Sequence, residues 1–169
     1  MAMDEKALYK ITYGLYVVSA QAEGQRSGCV VNTLQQVTAE PVRLAVTVNK
    51  DSLTCDALFA KNGRSAHHGD GHDQRIVRYL FGRNERHLAA LAHRADRHQL
   101  SDIGVTATAC AHYSCKVEQT VDLGTHLLFV GLAEESEILT EDEPLTYSYY
   151  RNVIKGLTPK GAPSYQAKK

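Results

Sequence analysis

The residues best suited to chemistry lie at positions 49–54, in the run Asn49, Lys50, Asp51, Ser52, Leu53, Thr54. Backbone N–H groups that converge at a helix start, backed by the positive end of the helix dipole, hold anions well. Lys50 adds a full positive charge, and Ser52 and Thr54 add hydroxyl donors. A terminal phosphate therefore fits this turn, although an ordinary N-cap beside a solvated lysine uses the same residue types. A second polar set precedes it: Asn32, Thr33, Gln35, Gln36 and Thr38 crowd the stretch 29–38. A strand that only packs would bury an apolar face. Amides and hydroxyls at this density suit either the ring nitrogens and oxygens of a flat polar heterocycle or a solvent-facing edge. The third candidate is His126, two residues past Gly124 at the head of the apolar run Leu127, Leu128, Phe129, Val130. There it can reach a cofactor edge or serve as a hydrogen-bonded structural histidine.

The elements that must position these groups are mostly strands. Residues 14–21 are β-branched and aromatic, and Glu23-Gly24 offers a turn after them. Residues 29–38 read as a second strand, Pro41 interrupts, and 42–48 read as a third. Ser52 or Thr54 caps a helix that continues through Ala57, Leu58 and Phe59. In the last third, 106–119 alternates with Ala109, Ala111, Tyr113, Cys115 and Val117 on one face. Asp122-Leu123-Gly124 then turns the chain into a long strand from Thr125. A short helix is expected over 4–10. The tail, rich in Tyr, Pro and Gly, is expected as an irregular arm whose Tyr147, Tyr149, Tyr150 and Tyr165 pack on a surface such as a partner subunit.

Bulk properties narrow the field. With 169 residues the chain suits one domain with a proper core, 1–169. The formal net charge of zero argues against a nucleic-acid or anionic-membrane footprint. No apolar run approaches the roughly 20 residues of a bilayer span, and the N-terminus has no apolar signal core. A soluble, cytoplasmic protein is expected. Cys29, Cys55, Cys110 and Cys115 form no CxxC pair, so they are expected to be thiols rather than zinc or iron ligands.

Residues 62–98 differ from both flanks. They hold six of the eight histidines and seven arginines but no lysine. His67, His68, Asp70, His72 and Asp73 form a dense set of metal-ligand types, yet their order matches no familiar metal motif, and no metal site is assigned. Abundant Arg and His without Lys is also what GC-rich DNA yields when read out of frame. The segment is either such a stretch or a local elaboration. Within it, 75–81 has strand character and 85–98 suits a helix with Leu88, Leu91 and Ala92 on one face.

Taken together, NTLQQVTAEPVRLAVTVNKDSLT (32–54), GTHLLFVG (124–131) and the tail from Pro144 to Tyr165 resemble the flavin reductase-like family. Within it the likeness is to the flavin domain of high-molecular-weight rubredoxins, which ALYKITYGLYVVSA (7–20) also resembles. The resemblance implies a mainly β fold, an FMN-binding split barrel of antiparallel strands with a few short helices, assembled as a homodimer. It places Asn32, Thr33, Leu34 and Gln36 against the ring and ribityl chain of FMN. Asn49, Lys50, Ser52 and Thr54 would hold its phosphate, and His126 would lie near the ring or the nicotinamide of NAD(P)H. It implies a reductase passing electrons from NAD(P)H to flavin, or else an FMN carrier serving a separate rubredoxin or flavodiiron protein. No rubredoxin part is expected within the chain itself. The middle segment departs from the family pattern, where only Phe81-Gly82-Arg83 is similar.

Overall fold

A computed structural model describes residues 3–22, 25–59, 109–156 and 158, together with the backbone of 75–81. A 3-10 turn, Glu5–Lys10, takes the place of the short helix expected near the N-terminus. Seven strands follow in chain order: β1 Tyr16–Ala22, β2 Gln25–Val31, β3 Gln35–Ala39, β4 Val42–Asn49, β5 Arg75–Phe81, β6 Ala109–Asp122 and β7 His126–Ile138. Helix α1, Leu53–Phe59, sits between β4 and β5, and α2, Tyr147–Asn152, follows β7.

The strands form one antiparallel sheet in the order β2-β1-β5-β6-β7-β4-β3. This order forces curvature. β2 and β3 lie on opposite edges, and seven flat strands would separate those edges by about 29 Å. Yet Val31 and Gln35 are joined by only Asn32, Thr33 and Leu34, a reach of about 14 Å at full extension. The sheet must therefore roll until its edges approach. Among the described residues no ladder joins β2 to β3, so the barrel stays split there. α1 packs against β1, β2 and β4 and so spans that opening.

The crossing corrects one expectation. Residues 29–38 are not one strand: the chain leaves β2 at Val31 and starts β3 at Gln35. Between them Asn32 and Leu34 turn inward and are buried, and the Thr33 hydroxyl donates to the Thr47 carbonyl at 2.8 Å, tying the crossing to β4.

Two apolar clusters hold the frame. The barrel interior packs Val18, Leu34, Val46, Val48, Leu127 and Phe129 with Cys55 and Leu58 of α1. On the other face of β1, Leu15 and Val17 pack with Ala109, Leu145 and Tyr150. Over its described residues the tail is thus not an irregular arm. Thr146 caps α2 by accepting from Tyr149 N at 3.2 Å, and Tyr147 N and Leu145 O bond to the backbone at Tyr13 and Leu15. Tyr150 is buried within its own chain; Tyr165 lies outside the described residues. In β6, Tyr113, Cys115 and Val117 face the barrel interior as expected, but Ala109 joins the other cluster; between Ala109 and Ala111 the β5–β6 register shifts, and the bulge turns the start of the strand.

From the compositionally odd segment, β5 pairs with β1 on one side and β6 on the other. The Glu23-Gly24 turn, the His67–Asp73 cluster and the helix expected over 85–98 lie outside the described residues. All four cysteines are free thiols. No helix among the described residues is long and apolar enough to cross a membrane.

Candidate functional site

The turn after β4 is built from its own side chains. Asn49 Oδ1 accepts from Asp51 N at 2.9 Å, and Asn49 O accepts from Ser52 N at 3.1 Å. Ser52 is the N-cap of α1: its Oγ accepts from Thr54 N at 3.2 Å and its carbonyl takes the first helical bond, from Asp56 N. The cap uses only the oxygen of Ser52, so its hydroxyl hydrogen can donate towards the Cys29 sulfur or to another acceptor. α1 has seven residues, so its dipole adds little, and the site's charge comes from Lys50.

Thr54 sits deeper than the sequence suggests. It is fully buried, and its Oγ1 has no hydrogen bond of good geometry. It lies by the Cys29 thiol. Burial pushes that thiol up from its ordinary value, while the hydroxyls of Thr54 and Ser52 pull the other way. Cys55, also beneath the turn, is pushed up to about 11 by burial first and by the nearby Asp56 carboxylate second.

The β6–β7 hairpin meets this turn directly. The ladder pairs Asn49 with His126, and Lys50 N donates to Thr125 O at 3.1 Å. Lys50 Nζ reaches Asp122 Oδ1 at 2.6 Å, and that oxygen also accepts from Gly124 N at 2.8 Å. These two donors, Lys50 first, hold the Asp122 carboxyl below the usual carboxylate range. Gly124 has φ 87, a left-handed conformation that suits glycine and lets the hairpin turn tightly. His126 Nδ1 shares a 2.9 Å hydrogen bond with Thr125 Oγ1, whereas its Nε2 is buried without a partner. A buried polar atom left unpaired costs stability, and this nitrogen keeps its hydrogen-bonding capacity unused within the described residues.

The other predicted residues run away from this corner along β4. Thr33 is tied to Thr47, two residues before Asn49. Gln36 pairs with Leu44, five residues before Asn49 and about 17 Å from it at strand rise. Leu34 and Gln36 line a cleft of about 320 Å³, together with Tyr16, Leu44, Tyr113 and Ala133. The structure thus gathers Asn49, Lys50, Ser52, Thr54 and His126 at one end of β4, with Thr33 next to them. Leu34 and Gln36 stand at the other end. Asp122 was legible in the sequence only as a turn residue, because its pairing with Lys50 depends on the β4–β7 register. Tyr16 and Tyr113 gave no signal beyond strand periodicity.

A polar corner, a tract of hydrogen-bonding residues and an aromatic-walled cleft suit an elongated ligand with one anionic end and one planar end. Comparison with known proteins gives the family. The flavin reductase like domain model matches residues 8–158. The chain is 35% identical over 170 residues to a high molecular weight rubredoxin of Moorella thermoacetica, covering 96% of this chain and 72% of that protein. It is 35% identical over 165 residues to a ferric-chelate reductase (NAD(P)H) of Archaeoglobus fulgidus, covering 96% and 98%. In fold it is similar to the styrene monooxygenase flavin reductase of Pseudomonas putida S12, with a TM-score of 0.61 at 20% identity over 83% of this chain and 89% of that one. With a matching model over most of its length and relatives at this identity, the chain belongs to the flavin reductase-like domain family, on a split-barrel fold.

Proposed function

We propose that this protein is an NAD(P)H-dependent flavin reductase that uses FMN, with the phosphate at the Asn49–Thr54 turn and the ring along Thr33–Gln36 toward the cleft. The observation that carries this reading is the pairing of Asn49 with His126, which sets a cationic turn beside a buried, unpartnered imidazole nitrogen. The relatives named for NAD(P)H-dependent reduction support it.

The residues present fit the cofactor. Lys50 Nζ and the Ser52 hydroxyl would bind the phosphate oxygens, a donor set favouring a terminal phosphate. Asn49 and Thr54 would hold the turn in shape, Asn49 through its bonds to Asp51 and Ser52 and Thr54 through burial under the cap. Asn32, Thr33 and Gln36 would offer hydroxyl and amide groups to the ribityl chain and ring edge. Tyr16, Leu34 and Tyr113 would keep water from the ring face. His126 Nε2 would give or accept one hydrogen bond at the ring or the nicotinamide. When bound, the flavin supplies the hydride acceptor and the electron store; no side chain needs to act as a general acid or base.

The chain would form a cytoplasmic homodimer whose sites draw on both chains, and exposed apolar side chains such as Leu8, Ile11 and Val153 suit contact with a second copy. A second reading, an FMN carrier that passes electrons to a separate rubredoxin or flavodiiron protein, is favoured by the likeness to a high molecular weight rubredoxin. One experiment separates the two. NADH and NADPH oxidation is followed with free FMN, a ferric chelate and rubredoxin as acceptors. A reductase oxidises NAD(P)H unaided; a carrier does so only when another reductase is added. Absence of flavin binding defeats both.

A further inference from the structure

We propose that Asp122 is the internal counter-ion of the phosphate turn: it occupies Lys50 and thereby limits how strongly the site prefers a phosphorylated flavin. This rests on the FMN reading above and assigns that site a specificity-determining residue outside the turn.

The geometry is reciprocal. Lys50 Nζ lies 2.6 Å from Asp122 Oδ1, a short charge-assisted contact. The carboxylate is aimed by its own hairpin, since Gly124 N donates to the same oxygen at 2.8 Å and Leu123 N closes the turn onto His126 O at 2.9 Å. The lysine is aimed by the same hairpin, because its backbone N donates to Thr125 O. Both partners are therefore held at one corner by backbone bonds that do not depend on the ion pair.

The consequence follows from charge. A phosphate monoester carries about −1.5 to −2 near neutral pH. At this corner it meets one ammonium already neutralised by a carboxylate, not a free cation. Binding must draw Lys50 away from Asp122 or share it, and the carboxylate then stands near a like charge. The pair is exposed, at 36% and 65% of its side-chain surface, so holding it together contributes little and exchange is easy. Asp122 thus weakens phosphate binding without blocking it. Ligands that offer phosphate alone are disfavoured, and ring contacts must supply the remaining affinity.

The test compares FMN with riboflavin, which differ only by the phosphate, using flavin fluorescence titration of the full chain. Asp122→Asn removes the charge but keeps an oxygen to accept from Gly124 N; Asp122→Ser is the second variant should the first fold poorly. The expected result is FMN binding tightened about two- to fivefold with riboflavin unchanged. Inorganic phosphate should also compete with FMN at lower concentration. In Lys50→Gln the FMN-over-riboflavin preference should fall, and adding Asp122→Asn to it should raise the preference by less than Asp122→Asn does alone, since only the direct repulsion between carboxylate and phosphate is then left to remove. If Lys50→Gln lowers the preference but Asp122→Asn leaves it unchanged or lowers it too, the counter-ion proposal is overturned while the phosphate turn stands. If Lys50→Gln itself leaves the preference unchanged, the phosphate reading fails and this proposal with it.

Discussion

The two ends of the β4–β7 strand pair differ in kind. At the Asn49–His126 end the backbone and side chains are laced by short polar links: Asn49 to Asp51, Ser52 to Thr54, Lys50 to Asp122 and to Thr125. At the other end, Leu44, Ala133, Tyr16 and Tyr113 wall an open cleft whose rim carries Gln35, Gln36, Glu134, Glu135 and Ser136. The first end can fix an anion in one orientation; the second offers area to a flat ring. β4 and β7 contribute to both ends, with β1 and β6 adding Tyr16 and Tyr113 to the cleft; on the proposed reading, distance along β4 would set the length of ligand accepted.

The largest expected effect would erase the difference by loosening the shared frame. Phe129 is fully buried on β7 in the barrel interior, between the two ends. Phe129→Ala should lower unfolding free energy by about 3–5 kcal/mol, read from urea denaturation. Binding of FMN and of riboflavin should weaken together. A selective loss of one would mean the ends are not mechanically joined.

Next in size is a change confined to the polar end. Lys50→Ala should weaken FMN binding by up to about 1.5–3 kcal/mol, towards the lower figure because the ammonium is partly exposed. Riboflavin affinity should hold. Equal weakening of both flavins would place Lys50 near the ring and invert the assignment of the two ends.

How far these ends were legible in the sequence follows from their physics. The strand runs read at 14–21 and 42–48 and a helix cap at Ser52 or Thr54 announced themselves, since strand propensity and capping are local; the structure has 16–22, 42–49 and Ser52. The break at Asn32–Leu34 did not, because Asn32 and Thr33 continue the polar texture of their neighbours and only the rolled sheet requires a crossing there. α2 hid behind a Tyr- and Gly-rich composition, although Thr146 three residues before Tyr149 is an N-cap pattern. The Lys50–Asp122 contact spans 72 positions and rests on the β4–β7 register, which local periodicity does not report. Thr54 read as a surface donor because its spacing from Ser52 is that of a cap, yet the Ser52 oxygen takes that role and turns Thr54 inward.

That inward turn gives a smaller test. A buried hydroxyl with no good partner costs roughly 1–3 kcal/mol, so Thr54→Val, nearly the same shape, should be neutral or raise stability by about 1 kcal/mol. If Thr54 only shapes the turn, FMN affinity should stay within error. A clear loss of FMN affinity in a stabilised protein would restore the hydroxyl to direct phosphate contact.

Beneath the same end, Cys55 gives a pH signature. Its thiol is raised from 9.0 to about 11 in the folded protein. A raised value stabilises the fold fully below the unfolded pKa, and that contribution is lost as pH rises through the folded one. Stability should therefore decline between pH 9.0 and about 11. Cys55→Ala should flatten part of that decline, measured as the urea midpoint across the range; an unaltered slope would assign it to other thiols.

The smallest effect sharpens the comparison most, because among the described residues each end of β4 carries a surface ion pair. Arg43 Nε lies 2.7 Å from Glu118 Oε2, almost the same length as the Lys50–Asp122 contact. Glu118 sits where the β6–β7 register shifts between Val117 and Gln119, and the bulge lets it reach across β7 to β4. Among the described residues, nothing beside Arg43 resembles the cap, the hairpin glycine or the orphaned imidazole of the other end. Glu118→Gln should thus cost only about 0.2–1 kcal/mol of stability, an effect that shrinks as salt is added. It should leave the FMN-over-riboflavin preference untouched, whereas Asp122→Asn should move that preference and barely alter stability. Two surface pairs of equal geometry would then be separated by what lies around them: one a strand-to-strand tie, the other a charge held in reserve for a ligand. If Glu118→Gln shifts the flavin preference as well, the response belongs to net charge over the whole face, and the distinction between the two ends is lost.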